Sequence, residues 1–149
     1  MSKTALSAKR IPFLTARQLL LIFAVVDAAS TYLFFLANKK YPYHIVLGNH
    51  VMGEMWSLFL SVGLISLLSL GLAPMIEWVA EHVKFKLNNR DWVVLYFFIN
   101  FAAIWLVSRY AEWVGLGIAS WPVVAVLSLA LVAIQAVTAG VISRLKLHR

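Results

Sequence analysis

One carboxylate lies in the middle of an apolar stretch, and its chemistry needs an explanation. Asp27 stands at the centre of residues 18–36, which are numerous enough to cross a hydrocarbon core of about 30 Å. An uncompensated acidic side chain at that depth costs about 2.5–3.5 kcal/mol on insertion scales. We therefore expect Asp27 to be protonated, or to bind a cation or water from a polar cavity.

Hydroxyl and amide side chains are the candidate partners of this carboxylate. Ser30 and Thr31 follow Asp27 at i+3 and i+4, so helical periodicity places all three on one face. No Lys, Arg or His occurs at comparable depth in any apolar stretch, which leaves amides and hydroxyls of other stretches as partners. These residues either fix helix pairing through hydrogen bonds or form an ion, proton or substrate site. The candidate intramembrane site contains Asp27, Ser30, Thr31, Asn100, Gln135 and Thr138.

A weaker pattern of possible metal ligands follows the first apolar stretch. His50 and Glu54 are four residues apart, a spacing that can place two ligands on one helical face, and His44 is nearby. No recognised metal motif accompanies them, and polar residues are expected at a membrane boundary. The sequence therefore predicts no bound metal and no cofactor, with these three as weak candidates.

Catalytic chemistry has little support in the sequence. Glu77, Glu81 and His82 are interpreted more simply as a solvated helix face than as an active site. No Ser-His-Asp set or similar constellation would share one membrane depth. The sequence therefore favours a protein that is not an enzyme.

The composition indicates an integral membrane protein. Of 149 residues, 62% are hydrophobic and 13% charged, which is unlike a soluble domain of this length. The absence of Cys excludes disulfide bonds and thiol catalysis. Although the net charge is +7, the basic residues flank apolar stretches and form no separate surface, so we expect no nucleic-acid partner.

Four apolar stretches predict an all-α bundle of four transmembrane helices. Their approximate bounds are 18–37, 52–83, 92–110 and 120–143, with basic tails at 1–17 and 144–149. Pro74 should bend the overlong second helix. Small residues at helical spacing, such as Ser57 with Ser61, Gly63 with Gly71, and Ala136 with Gly140, permit close contact within a monomer or between copies.

The distribution of Lys and Arg predicts the orientation of the helices. With both termini in the cytoplasm, ten of the 13 basic residues lie on the cytoplasmic side and three outside. We therefore expect a multi-pass protein of the cell membrane with its N- and C-termini inside. The inner ten are Lys3, Lys9, Arg10, Arg17, Lys84, Lys86, Arg90, Arg144, Lys146 and Arg149, and the outer three are Lys39, Lys40 and Arg109.

A parallel repeat of two helices is a further hypothesis. A shift of 73 residues places Asp27 over Asn100 within matching apolar segments. The halves would then have the same orientation and an axis along the membrane normal. Chance alignment of apolar helices is the alternative.

Residues 93–144 resemble the second half of GtrA-like four-helix membrane proteins. The shared features are Asn100 in mid-helix, the turn at Gly115 and Leu116, and Gln135 in the following helix. The resemblance implies a four-helix membrane fold and movement of polyprenyl-linked sugars. The asparagine, aromatic and basic signature that ends helices in that family is lacking here, so no family membership is assigned.

Two functions remain open from the sequence. The favoured one is a non-enzymatic accessory or assembly component of a membrane complex, in which polar residues specify packing. The alternative is a small transporter or channel in which Asp27 binds a cation, a proton or a lipid-linked substrate. Because four helices enclose little space, we expect a homo-oligomer or a larger membrane-protein partner within the lipid bilayer.

Overall fold

The computed structural model describes residues 16–82 and 88–145, which are mostly helical. At residues 16–20, 70, 73, 74, 77, 80, 81, 89, 139 and 142–145 it describes the backbone alone. The ends of both predicted tails and the side chains of Pro74, Glu77 and Glu81 therefore lie outside the described residues. The elements are α1 (Ala16–Lys40), β1 (Ile45–Leu47), α2 (Glu54–His82), α3 (Asn89–Arg109), α4 (Ala111–Val114), β2 (Leu116–Ile118) and α5 (Trp121–Leu145).

Three of the helices are long and apolar enough to cross a membrane. These segments are Leu21–Lys40 in α1, Arg90–Arg109 in α3 and Trp121–Thr138 in α5. In α2, the apolar segment over the described residues is the shorter Glu54–Ser69, although the helix continues through position 74 to His82. By length and composition, the chain is a membrane protein.

The four long helices pack as a ring. α1 contacts α2 and α5, and α3 contacts the same two helices, so α1 and α3 lie on opposite sides of the described bundle. Large apolar side chains, such as Phe59, Leu67 and Leu129, are exposed on the outside. This distribution is expected where lipid surrounds the helices, because lipid tails are as apolar as the core.

A two-stranded antiparallel ribbon interrupts the predicted all-α fold. Ile45 pairs with Ile118, Val46 with Gly117 and Leu47 with Leu116. The side chains at both ends of each strand are buried, whereas Val46 faces outwards. The all-α prediction missed the ribbon because three residues are too few to establish an alternating pattern.

The ribbon closes one end of the bundle, which we call the ribbon end. Gly115 ends α4 in the left-handed region with φ of +76°, and its carbonyl accepts a 2.8 Å hydrogen bond from the Gly48 N–H. A Cβ at Gly115 would lie 2.5 Å from the Ser57 Cβ and would overlap the Ser57 hydroxyl. Ser61 donates to the Val114 carbonyl at 3.3 Å. Ser57 and Ser61 of α2 therefore leave room for the chain around Gly115.

Three glycines of the small-residue pattern have open surroundings. A Cβ added at Gly63, Gly71 or Gly140 would meet no atom within 4 Å, the nearby backbone of its own helix apart. Of the two alternatives, contact within the monomer therefore has no support at Gly63 and Gly71 among the described residues. The alternative of contact between copies stays a prediction.

The start of α3 follows from its sequence. The Asn88 N–H donates a 2.8 Å hydrogen bond to the Asp91 carboxylate, which satisfies one backbone donor ahead of the helix. At the other end, the Arg109 guanidinium lies 3.8 Å from the centroid of the Trp105 ring. This contact suits a cation at the end of an apolar span.

Candidate functional site

The partner of the buried carboxylate lies on α2. Ser66 donates a hydrogen bond from its hydroxyl to Oδ1 of the half-buried Asp27. Among the described residues, Asp27 has no hydrogen bond to Asn100 or Gln135, the partners expected from the sequence. Because α1 contacts α2 and has no contact with α3 in the described bundle, the carboxylate bonds to a residue of α2.

A second polar cluster joins the remaining helices. Asn100 is fully buried on α3, and its Nδ2 donates to Gln135 Oε1 on α5 at 3.0 Å. Its Oδ1 accepts from Gln135 Nε2 at 3.3 Å and from Ser69 Oγ on α2 at 3.2 Å. Asn100 therefore connects three helices through reciprocal amide bonds and one hydroxyl, as expected for buried amides in a membrane protein.

The other predicted site residues have different surroundings. Ser30 is buried, and its hydroxyl donates to the Val26 carbonyl of its own helix at 2.7 Å. Thr31 is half-buried and Thr138 is buried, but neither lines the cavity that adjoins the two clusters. The structure thus connects the four long helices through Asp27, Asn100 and Gln135, and neither threonine lines the central cavity.

A cavity of about 460 Å³ lies between all four long helices beside these clusters. Polar groups reach it from each helix, and Trp92 and Tyr96 line it near the start of α3. Its lining residues are Ile22, Phe23, Val26, Ser30, Phe34, Val62, Ile65, Ser66, Ser69, Trp92, Val93, Tyr96, Asn100, Leu131, Val132, Gln135 and Ala136. Mostly apolar walls with a few convergent polar groups are the usual character of a small-molecule site.

The electrostatics of the cavity come from one acidic group. Asp27 does not line the cavity, but it accepts a hydrogen bond from Ser66, which does. The polar groups that line the cavity are hydroxyls, amides and the Trp92 indole N–H. No basic side chain occurs among the lining residues. The lining groups can donate hydrogen bonds to a ligand and accept them from it, and the nearby carboxylate favours a ligand with a cationic group.

Metal ligation is not supported at the weak candidates. No group of three or more His, Cys, Asp or Glu in the described part of the chain could hold a metal ion. His44, His50 and Glu54 therefore do not converge. His82 instead contacts Trp78, with ring centroids 4.1 Å apart and Nδ1 2.8 Å from the Trp78 carbonyl oxygen.

Sequence reasoning missed four residues of the site. Ser66 and Ser69 are three residues apart on α2, and Trp92 and Tyr96 are four apart on α3, so each pair shares a helical face. The spacing was visible, but serines in apolar helices often bond to their own backbone and aromatics often mark the boundary. Only the packing of α2 against α1 and α3 shows that these four residues lie at the site.

Fold and site together define a membrane protein with a mostly apolar cavity inside its helix bundle, into which a few polar groups converge. No protein-family model matches the chain, and neither a curated protein nor a solved structure matches it. The functional argument therefore depends on the chemistry of the cavity itself.

Proposed function

We propose that this protein is a membrane-embedded binding protein or carrier for a ligand with an apolar body and a cationic or hydrogen-bonding group. The observation that carries the proposal is the 460 Å³ cavity walled by all four long helices. Ligand sites commonly occupy about 300–1,000 Å³ and combine apolar walls with a few fixed polar groups. The cavity has both properties.

Charge narrows the class of ligand. Asp27 is an acidic group in an apolar span, and no basic residue lines the neighbouring cavity. A bound cation or proton would offset the cost of keeping that carboxylate in the membrane. Ser66 lines the cavity and donates to Asp27, so a positive group of the ligand beside Ser66 would be next to the Asp27 carboxylate.

The proposal includes a membrane topology. α2 is the fourth span, both termini are cytoplasmic, and the protein lies in the cell membrane. Ten of 13 Lys and Arg residues then fall on the cytoplasmic side, in accordance with the positive-inside rule. The ribbon end faces outwards, and the cavity lies nearer the cytoplasmic ends of α1 and α3.

The parallel repeat also belongs to this proposal. Each half has the order helix, strand, helix, apart from the short α4. The two strands pair antiparallel. A two-fold axis along the membrane normal reverses the direction of a strand that lies in the membrane plane, so two strands related by that axis run antiparallel. Asp27 bonds to α2 and Asn100 bonds to α5, so each mid-helix polar residue contacts the second helix of its own half.

Filling the cavity tests the binding function. Val132 lines the cavity, whereas Leu129 on the same helix is exposed and lines no cavity. Native mass spectrometry of the full chain in mild detergent should detect a bound molecule in the wild type and in Leu129→Phe, but not in Val132→Phe. Equal bound mass in all three proteins would contradict the proposal.

Removing the carboxylate charge tests the ligand class. Decylammonium and decanol share an apolar chain and differ in charge, so their relative binding measures the contribution of a cation. Asp27→Asn keeps an acceptor for Ser66 but should lose a preference for decylammonium of about tenfold, the size of a charge-assisted hydrogen bond. The control is Glu112→Gln, which removes an exposed carboxylate at the ribbon end. An unchanged preference in Asp27→Asn would exclude a cation role.

Accessory or assembly function is the second candidate. Its support is that Asp27 and Asn100 already have partners within the bundle, which a purely structural role requires. Native mass spectrometry of protein extracted from its own membrane separates the two candidates. A stoichiometric larger partner with no bound small molecule favours the accessory role, whereas a homo-oligomer carrying a specific ligand favours the carrier.

A further inference from the structure

A second cavity lies between α1 and α5 at the ribbon end. It encloses about 530 Å³ and shares no lining residue with the central cavity. Apolar side chains form its walls, and the residues that line it are Leu33, Leu36, Ala37, Lys40, Tyr41, His44, Ile45, Pro122, Val123, Val126, Leu127 and Ala130. We call it the interfacial groove, because it begins where the apolar span Leu21–Lys40 ends.

The rim of the interfacial groove is polar and held in place by backbone hydrogen bonds. Lys40 Nζ lies 5.9 Å from the centroid of the Tyr41 ring. The His44 N–H donates to the Tyr41 carbonyl at 3.0 Å, and the Ala119 N–H donates to the His44 carbonyl at 2.9 Å. The turn after α1 is thereby connected to the residues that precede α5. These bonds hold the backbone at Tyr41 and His44, and the side chains of Lys40, Tyr41 and His44 line the groove near the end of α1.

The charges of the groove are not balanced. Lys40 carries a positive charge, the Tyr41 hydroxyl and the His44 imidazole can donate hydrogen bonds, and no carboxylate lines the groove. An anion at the rim would complement this set. Below the rim, the walls extend from Lys40 to Leu33 on α1 and from Pro122 to Ala130 on α5, about 10–12 Å at the helical rise.

We propose that the interfacial groove binds an anionic phospholipid. Its phosphate contacts Lys40, Tyr41 and His44 at the boundary, and one acyl chain lies between α1 and α5. The groove combines a cationic rim, at the level where phosphates occur in a bilayer, with apolar walls below it. A phospholipid can contact both parts, whereas a soluble anion can contact only the rim. This binding is independent of the ligand of the central cavity.

The head-group contact is tested by comparing how much phosphatidylglycerol and how much phosphatidylcholine the protein retains when both lipids have the same acyl chains. The full chain is reconstituted in mixed-lipid nanodiscs, transferred to detergent and examined by native mass spectrometry. Lys40→Gln should lower retained phosphatidylglycerol about fivefold, the effect of one basic residue at a membrane surface. The matched control is Lys39→Gln, because Lys39 is adjacent and exposed but does not line the groove. Equal losses in both variants, or equal retention of the two lipids by the wild type, would overturn the proposal.

The acyl-chain contact has a separate test. Ala130→Phe places a ring in the groove, and Ala133→Phe makes the same change at an exposed position that lines neither cavity. Only Ala130→Phe should reduce retained phosphatidylglycerol, with thermal melting confirming that both variants are folded. If Ala130→Phe retains the lipid, or if inorganic phosphate competes as well as the lipid, the groove does not bind a phospholipid.

Discussion

Around Gly115 at the ribbon end and around the central cavity, the same four helices are packed in opposite ways. At the ribbon end, Ile104, Leu116 and Val124 are at most 1% exposed, and Gly115 lies directly against Ser57. In the central region, mostly apolar side chains and a few polar groups surround a cavity of about 460 Å³. Helices in lipid gain little from apolar burial, so close packing must supply stability. The contrast indicates that the close contacts around Gly115 stabilise the bundle, whereas the central region has space for a ligand.

Among the substitutions that test this contrast, Gly115→Ala should cause the largest loss of stability. A left-handed backbone disfavours any Cβ, and the added methyl would overlap the Ser57 hydroxyl. We expect a loss of about 2–4 kcal/mol in unfolding free energy, seen as a lower melting temperature in detergent by tryptophan fluorescence.

Gly117→Ala is the control for that substitution. Its added Cβ would have ordinary contacts, 3.7 Å from Ala111 Cβ and 3.8 Å from Val46 Cβ. Combining Gly115→Ala with Ser57→Gly should recover the steric part of the loss. A fully stable Gly115→Ala protein would show that the ribbon end is not closely packed.

Replacing one buried valine in each region with phenylalanine should cause an intermediate loss of stability. Val124 and Val132 are both buried on α5, but only Val132 lines the central cavity. We expect Val124→Phe to cost about 1–3 kcal/mol, because no space accepts the ring. Val132→Phe should cost less, since its ring enters the cavity. Equal melting temperatures for the two variants would remove the distinction between the regions.

Removing the amide of Asn100 should have the smallest effect. Asn100→Leu leaves Gln135 and Ser69 without their hydrogen bonds, at a cost of about 1 kcal/mol in a membrane bundle. A double-mutant cycle with Gln135→Leu measures the coupling. Ser128→Ala is the control, because the buried Ser128 hydroxyl bonds only to the Val124 carbonyl of its own helix in the described chain. Zero coupling between Asn100 and Gln135 would mean that the cluster does not hold the helices together.

Much of the helical structure was predictable, because long apolar stretches have few alternatives in a membrane. The ribbon was not predictable: its strands have three residues each, and pairing Ile45 with Ile118 depends on contacts far apart in the chain. Asp27, Asn100 and Gln135 were recognisable as unusual from their depth alone. Their partners Ser66 and Ser69 were not, because a serine in an apolar helix commonly bonds to its own backbone.

The sequence by itself determined the membrane-protein class, since runs of apolar residues constrain the backbone to helices in lipid. It also determined that a carboxylate would lie within a span. Only the tertiary structure decided that Asp27 bonds to Ser66, that Asn100 bonds to Ser69 and Gln135, and that a cavity remains between them. The physical reason is that rotation and pairing of apolar helices depend on small differences in packing, which hydrophobicity does not encode.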